Sequence, residues 1–414
     1  MQRRPPRQAH PIIPGPTRAV PPRAIAIAGA ALVLIAVVGM AAHAFGGSGS
    51  PTASAGPGIA LAATPADPLG GSPGALSPAA SADPPSDASA GDPTPTPSAS
   101  SGTPSPGGVV ASGPFPGGLL IADRGNARIL VVNNAGRIVW QFPGPGSLPK
   151  GWSSVNADDA FMAPDAKSIV ANDESHQTIV RIDIATRKVV WTYGHYGQMG
   201  SGRGYLHTPD DAYPLANGDI VVADIENCRI LEIAPDKSIV RQWGRTGICS
   251  NTIKGAFARP NGDTPLPDGG VLITEIGGSR VVRLSASGKV IFDIHVPVAY
   301  PSDAQLDLQG NVVVADFSAI GQVVAVNPTT GRLVWRWRYT SGVRRLDHPS
   351  LATPLADGTV SVNDDFRHRL IVINPRTQRI VWQFGRTDLA GRGPHLLNDP
   401  DGHQPIAAGG PFQV

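Results

Sequence analysis

An all-β fold, a six-bladed β-propeller closed by pairing of its N- and C-terminal strands, is predicted by three observations. First, an apolar run ending in a carboxylate recurs six times, at Asp123, Asp173, Asp224, Glu275, Asp316 and Asp364. The spacings are 50, 51, 51, 41 and 48 residues, enough for four short strands and their turns but not for intervening helices. Second, Arg128, Thr178, Arg229, Arg280 or Arg369 stands five residues after the carboxylate, with Gln322 six after Asp316, and each opens another alternating run. Third, the first unit has no leading strand of its own, whereas Pro400-Asp401-Gly402-His403 repeats the proline-led start of the other units with no second strand behind it. Circular closure removes the open strand edges.

The elements follow in order. Residues 1–23 carry Arg3, Arg4, Arg7, Arg18 and Arg23 and no acid, a basic cytoplasmic tail. Residues 24–45, AIAIAGAALVLIAVVGMAAHAF, run 22 residues without a formal charge, close to the ~20 that cross a bilayer as one helix. The basic flank places the N-terminus in the cytoplasm and the rest outside. A cleavable signal peptide is the alternative, with Ala42-His43-Ala44 resembling a cleavage site. The expected localisation is therefore single-pass in the cell membrane with the propeller outside, or secreted after cleavage. Residues 46–113 are almost entirely Pro, Ala, Ser, Gly and Thr, with four Asp and no aromatic, a composition that cannot offset its ordering entropy. As a disordered linker it would span roughly 45 Å. Residues 114–414 carry the blades.

The whole-chain net charge is +2. Setting aside the five tail arginines and the four linker acids leaves 29 basic and 28 acidic residues. That balance speaks against a nucleic-acid partner. Within each unit, the last strand carries a large aromatic: Trp140, Trp191, Trp243, Trp335 and Trp382, with Phe292 in the fourth unit, read as filler between blades. The repeated carboxylate and its arginine are read as fasteners of the loop between them. Cys228 and Cys249 fall in loops on one face and form the candidate disulfide.

Propeller topology puts the start of every leading strand at one mouth of the central channel. Asp158, Asp159, Asp210, Asp211, Asn261, Asp263, Ser302, Asp303, Ser350 and Asp401 open those strands, with His207, His348, His395 and His403 nearby. Converging oxygens suit a hard cation such as Ca²⁺. Histidines among carboxylates would suit Zn²⁺ or general-base work. A solvated mouth with Asp capping its turns is the structural alternative. No metal is assigned, and no catalytic residue is named. Arg203 and Arg392 lie in glycine-rich loops between blades, where a rigid scaffold presents binding residues.

The units DIVVADIENCRILEIAPDKSIVRQWG and LLIADRGNARILVVNNAGRIVWQF resemble NHL repeats. QVVAVNPTTGRLVWRW and TIVRIDIATRKVVWTYG are equally similar to PQQ-type propeller repeats. The six-unit count points to the NHL side. The sequence has no adjacent Cys pair of the kind seen in quinoprotein dehydrogenases, so PQQ is not expected. Both repeat families include scaffolds, binders and enzymes. The apolar run and the inter-blade loops together lead to the expectation of an extracytoplasmic binding or scaffold module whose loop-rich face meets a protein, peptide or glycan partner, with the membrane contacted through residues 24–45. Its alternative is an enzyme of the lyase or arylsulfotransferase kind with a metal or anion site at the mouth. Oligomeric state is not legible.

Overall fold

A computed structural model describes residues 113–412. The tail, apolar run and nearly all of the linker read from the sequence lie outside the described residues, and among the described residues no helix is long and apolar enough to cross a membrane.

Six separate four-stranded antiparallel sheets form the blades. The first contains Leu119–Asp123, Arg128–Val132 and Ile138–Phe142, and its innermost strand is Pro400–Pro405 from the C-terminus. Ile121 pairs with His403 and Asp123 with Pro400 across that closure. The other blades run in simple chain order from an inner strand to an outer one, such as Pro209–Pro214, Ile220–Asp224, Arg229–Ile233 and Ile239–Gly244 in the third.

The core is a ring of six clusters, one between each pair of blades. The cluster between the first and second blades joins Leu120, Ile129 and Phe142 to Ile169, Val180 and Ile182. The cluster between the last blade and the first joins Leu370 and Phe384 to Ile121 and Leu130. Second strands such as Leu119–Asp123 and Val312–Asp316 are buried along their whole length because both faces meet a neighbouring blade. This is why they read as unbroken apolar runs. Each buried Leu or Ile contributes about 1.5–3 kcal/mol.

The repeated carboxylates end these strands and fasten the loops. Asp123, Asp224, Glu275 and Asp364 pair with Arg128, Arg229, Arg280 and Arg369 at 2.5, 2.7, 2.5 and 2.7 Å. Gln322 donates to Asp316 at 2.8 Å. In the second blade Thr178 makes no such contact, and His176 Nδ1 lies 2.7 Å from Asp173 instead. Asp173, Asp224 and Asp364 also accept the backbone N–H of the residue 17 positions earlier, Asn156, His207 and Asp347, tying the incoming loop to the same group.

One repeat position needs correction. Trp140 and Trp191 donate their indole N–H to Ile184 and Pro235 in the next blade, at 2.9 and 2.8 Å. Trp243 is not their counterpart. It pairs with Ile230, two residues beyond that position and in the register of Phe142 and Tyr193, which pair with Ile129 and Ile179. Arg241 occupies the repeat position and donates to Ala286 of the next blade at 2.8 Å. There the guanidinium makes the contact to the next blade that the indole N–H makes in the first two blades.

Candidate functional site

The inner strands run beside the axis. Strict alternation would turn only every second side chain toward it. The register is instead irregular between Asp210 and Tyr213, between Pro260 and Asp263, and between Pro301 and Ala304. A bulge of this kind lets consecutive side chains face the same side. Asp211 accordingly sits in the left-handed region at φ 49°, which Asp tolerates, and both it and Asp210 line the axial cavity. In the second blade the regular strand begins only at Ala160, leaving Asp158 and Asp159 ahead of it, and both line the same cavity. Asp159 leans over Gly402 so closely that a Cβ there would lie 2.2 Å from its Oδ1.

The cavity has a volume of about 70 Å³. Asp158, Asp159, Glu174, Asp210, Asp211, Asp303 and Asp401 line it against a single base, Arg124. Arg124 pairs with three of these acids. Its Nη1 lies 2.6 Å from Asp158 and 2.5 Å from Asp401, and its Nη2 lies 2.6 Å from Glu174. Asp158 above all, then Asp401 and Glu174, push its pKa upward against the effect of burial, so it stays charged. One positive charge cannot balance seven acids.

The imbalance is written into the carboxyl groups. Burial, then Asp158, pushes Asp401 up to about 8. Burial raises Asp303 to about 6. Asp159, Asp210 and Asp211 are driven well above the usual carboxylate range, first by burial and then by neighbouring charge, that of Asp158 for Asp159 and Asp210 and that of Asp159 for Asp211. Asp263, fully buried beside them, is raised by burial, Asp303 and Asp159. Neither carboxylate oxygen of Asp263 has a hydrogen-bond partner among the described residues, and nor does Oδ2 of Asp211. Carboxylates so placed must hold protons or a cation. Ligand oxygens of Asp158, Asp159 and Asp210 all lie within 4.8 Å of one another. This all-oxygen set fits a hard cation.

The upper wall is uneven. Six of the seven acids and Arg124 occupy the side made by the first three blades, and Asp303 stands on the fifth. The opposite side presents Tyr300, Phe317, Ser302, Ser350 and Leu351. Tyr300 donates its hydroxyl to Asn261 at 3.1 Å, and Asn261 donates to Asp210 at 2.5 Å.

Of the residues named from the sequence, Asp158, Asp210, Asp211, Asn261, Asp303 and Asp401 converge on this cavity. The histidines do not line it. His403 lies below it, buried between blades, with Nε2 2.6 Å from Ser361 Oγ and Nδ1 bonded to Asn363. Burial lowers its pKa to about 3. His348 stands outside the wall, 2.8 Å from Asp347 and packed on Phe317 and Phe366. His207 gives its backbone N–H to Asp224. Arg203 and Arg392 are exposed in their loops. Cys228 and Cys249 are bonded, with Cα atoms 5.2 Å apart.

Arg124, Glu174 and Phe317 were not among the residues singled out from the sequence. All three occupy the position directly after the repeated carboxylate, which reads Arg, Glu, Ile, Ile, Phe and Asp around the ring. In four blades a short 3₁₀ turn starts there, and in the first it carries Arg124 onto the cavity. The signal was a position at which otherwise similar units differ in charge.

Residues 237–392 match the family model PQQ_2, described as outer membrane protein assembly factor BamB. No curated protein matches. Among solved structures, a protein of unknown function from Bacteroides caccae is similar at 19% identity, covering 70% of this chain and 98% of its own, with a TM-score of 0.51. A streptogramin B lyase is similar at 15% identity over 68% of this chain and 85% of its own, with a TM-score of 0.47. A virginiamycin B lyase from Staphylococcus aureus gives 15%, 65%, 84% and 0.44. At these identities the likeness concerns the fold. Blade count points to NHL repeats and the family match to the PQQ type. The chain is a six-bladed β-propeller, of which residues 237–392, from the last strand of the third blade through the sixth, match the PQQ-like repeat model.

Proposed function

We propose that the protein is a membrane-anchored, extracytoplasmic binding module that meets a protein, peptide or glycan partner through its loop-rich face and holds a cation in the axial cavity. The observation that carries this reading is the set of seven acids lining one cavity against Arg124, with ligand oxygens of Asp158, Asp159 and Asp210 within 4.8 Å of one another. Asp158, Asp159 and Asp210 are the groups that would hold Ca²⁺, with further oxygens from Asp211 and Asp401 in reach of the same space. Anchoring rests on the apolar run 24–45, and the linker 46–113 supplies the reach away from the bilayer. An aryl-sulfate or other anion subsite is poorly served here. Arg124 is spent on three carboxylates, and no histidine lines the cavity.

The test is a calorimetric titration of the chelator-treated full chain with Ca²⁺, Mg²⁺ and Zn²⁺, alongside thermal melts. Binding of one of them with a rise in Tm, reduced by Asp210→Asn, is the expected result. No heat and no shift with any of the three cations would remove metal binding from the proposal.

A further inference from the structure

A second cavity, of about 520 Å³, lies away from the axis, where the outer strands Ile239–Gly244 and Val290–His295 of the third and fourth blades meet the loop 251–257. No lining residue is shared with the axial cavity. Small-molecule sites run to roughly 300–1,000 Å³, so this space is of ligand size. Its wall holds the one aromatic ring of a repeated core position that is not fully covered. Trp243 pairs with Ile230, and Phe142, Tyr193, Trp337 and Phe384 keep the same register in their own blades. Those four rings are buried, whereas Trp243 is half-buried and lines the cavity.

The hydrogen-bonding groups of this cavity are unbalanced. Trp337 donates its indole N–H to Arg344 O at 3.0 Å, but the indole N–H of Trp243 has no acceptor among the described residues. Its Nε1 opens beside Gly288, another lining residue, where an added Cβ would stand 3.6 Å away. Lys254 also lines the cavity and has no hydrogen-bond or ion-pair partner among the described residues. The one lining carboxylate, Asp293, is held by Arg280 at 2.9 Å. The rest of the wall is Phe257, Val282, Leu284 and Val290, with Ile253 on the loop. That loop is pinned, since Cys249 is bonded to Cys228 and bridges Phe257, and Ala256 donates its N–H to Ile253 at 3.0 Å. Two donors without acceptors, set in ring and branched aliphatic surface, suit a flat apolar body that carries one negative charge.

We infer that the cavity between the third and fourth blades binds a small aromatic monocarboxylate, its ring against Trp243 and Phe257 and its carboxylate shared between the Trp243 N–H and the Lys254 ammonium. The site stands whether or not the axial cavity holds a cation, because the two have no residue in common.

The full chain is titrated by calorimetry with 1-naphthoate, its neutral twin 1-naphthamide and its ring-saturated twin decahydro-1-naphthoate. Naphthoate should bind, and both twins should bind more weakly. Trp243→Leu should weaken naphthoate roughly 2- to 10-fold through the lost ring contact. Lys254→Gln, at an exposed loop position, should weaken naphthoate roughly 2- to 5-fold and naphthamide by less, and it serves if Trp243→Leu disturbs folding. Equal binding of naphthamide overturns the assignment of an anion. Equal binding of the saturated acid overturns the assignment of an aromatic ring. Naphthoate affinity unmoved by either substitution, or no heat with any of the three compounds, overturns the site itself.

Discussion

Single residues in this protein take their roles from what differs between blades. Asp123, Asp224 and Asp364 are interchangeable fasteners, whereas the residue after each of them is Arg124, Ile225 or Asp365, and only Arg124 reaches the cavity wall. His403 shows how far tertiary position overrides residue type. Its channel-mouth sequence neighbourhood made it a ligand candidate, yet it is a buried neutral hydrogen-bonding residue. Asn363 Oδ1 can only accept, so Nδ1 carries the proton. Its folded pKa of about 3 lies below the ordinary 6.5, so the unfolded chain takes up the proton first. Stability from this group is therefore present above pH 6.5 and lost as pH falls toward 3. Relative to His403→Gln, the wild type should lose up to about 1.4 kcal/mol per pH unit in that window. Denaturant midpoints of both proteins at several acidic pH values check this, and parallel curves would show that His403 is not the titrating group. The raised carboxyls act in the opposite sense, but they are common to both proteins and cancel in the comparison.

At the level of elements, the inner strands explain why the site was half legible. Their proline-led starts and acidic pairs marked the mouth, and Asp158, Asp210 and Asp401 stand there. The bulges that turn neighbouring side chains to one side have no signature in a sequence of strict alternation, so the depth of the acidic cluster was not legible. The misplaced Trp243 has the same origin. A two-residue difference in register moves a large aromatic from one pairing position to the next without disturbing the repeat by eye. The Cys228–Cys249 bond joins the turn after Asp224 to the loop leaving the third blade, 21 residues on. Closing a loop of that length is worth about 3 kcal/mol through the unfolded state. Replacing both cysteines by serine should lower stability by that order, measured by urea unfolding, and reducing agent should do the same to the wild type only. An unchanged midpoint on reduction would mean the bond contributes nothing in solution.

On the scale of the whole molecule, the ring is closed by one strand. Pro400–Pro405 supplies the inner edge of the first blade and the wall residue Asp401, and Gln404 Oε1 accepts the backbone N–H of Met162 in the second blade at 2.7 Å. Ending the chain at residue 398 would leave Leu119–Asp123 as an open, wholly buried-type edge and remove one acid from the site. Such a chain should aggregate and lose its cooperative melt, whereas removal of the last few residues after Phe412 should not. Static light scattering and calorimetry of the two truncations test this. A monomeric, cooperatively melting short form would show that the closure is dispensable.

The architecture was present in the sequence because a propeller repeats itself. Six runs ending in a carboxylate fix blade number, strand order and the role of the C-terminus, since each unit must bury the same faces against the next. The site was decided by tertiary structure. Its parts come from all six blades and meet only at the axis, where burial and mutual repulsion, rather than residue identity, drive the carboxyls out of their ordinary range. Charge that is unremarkable on separate strands becomes a crowded set of buried carboxyls when the ring closes.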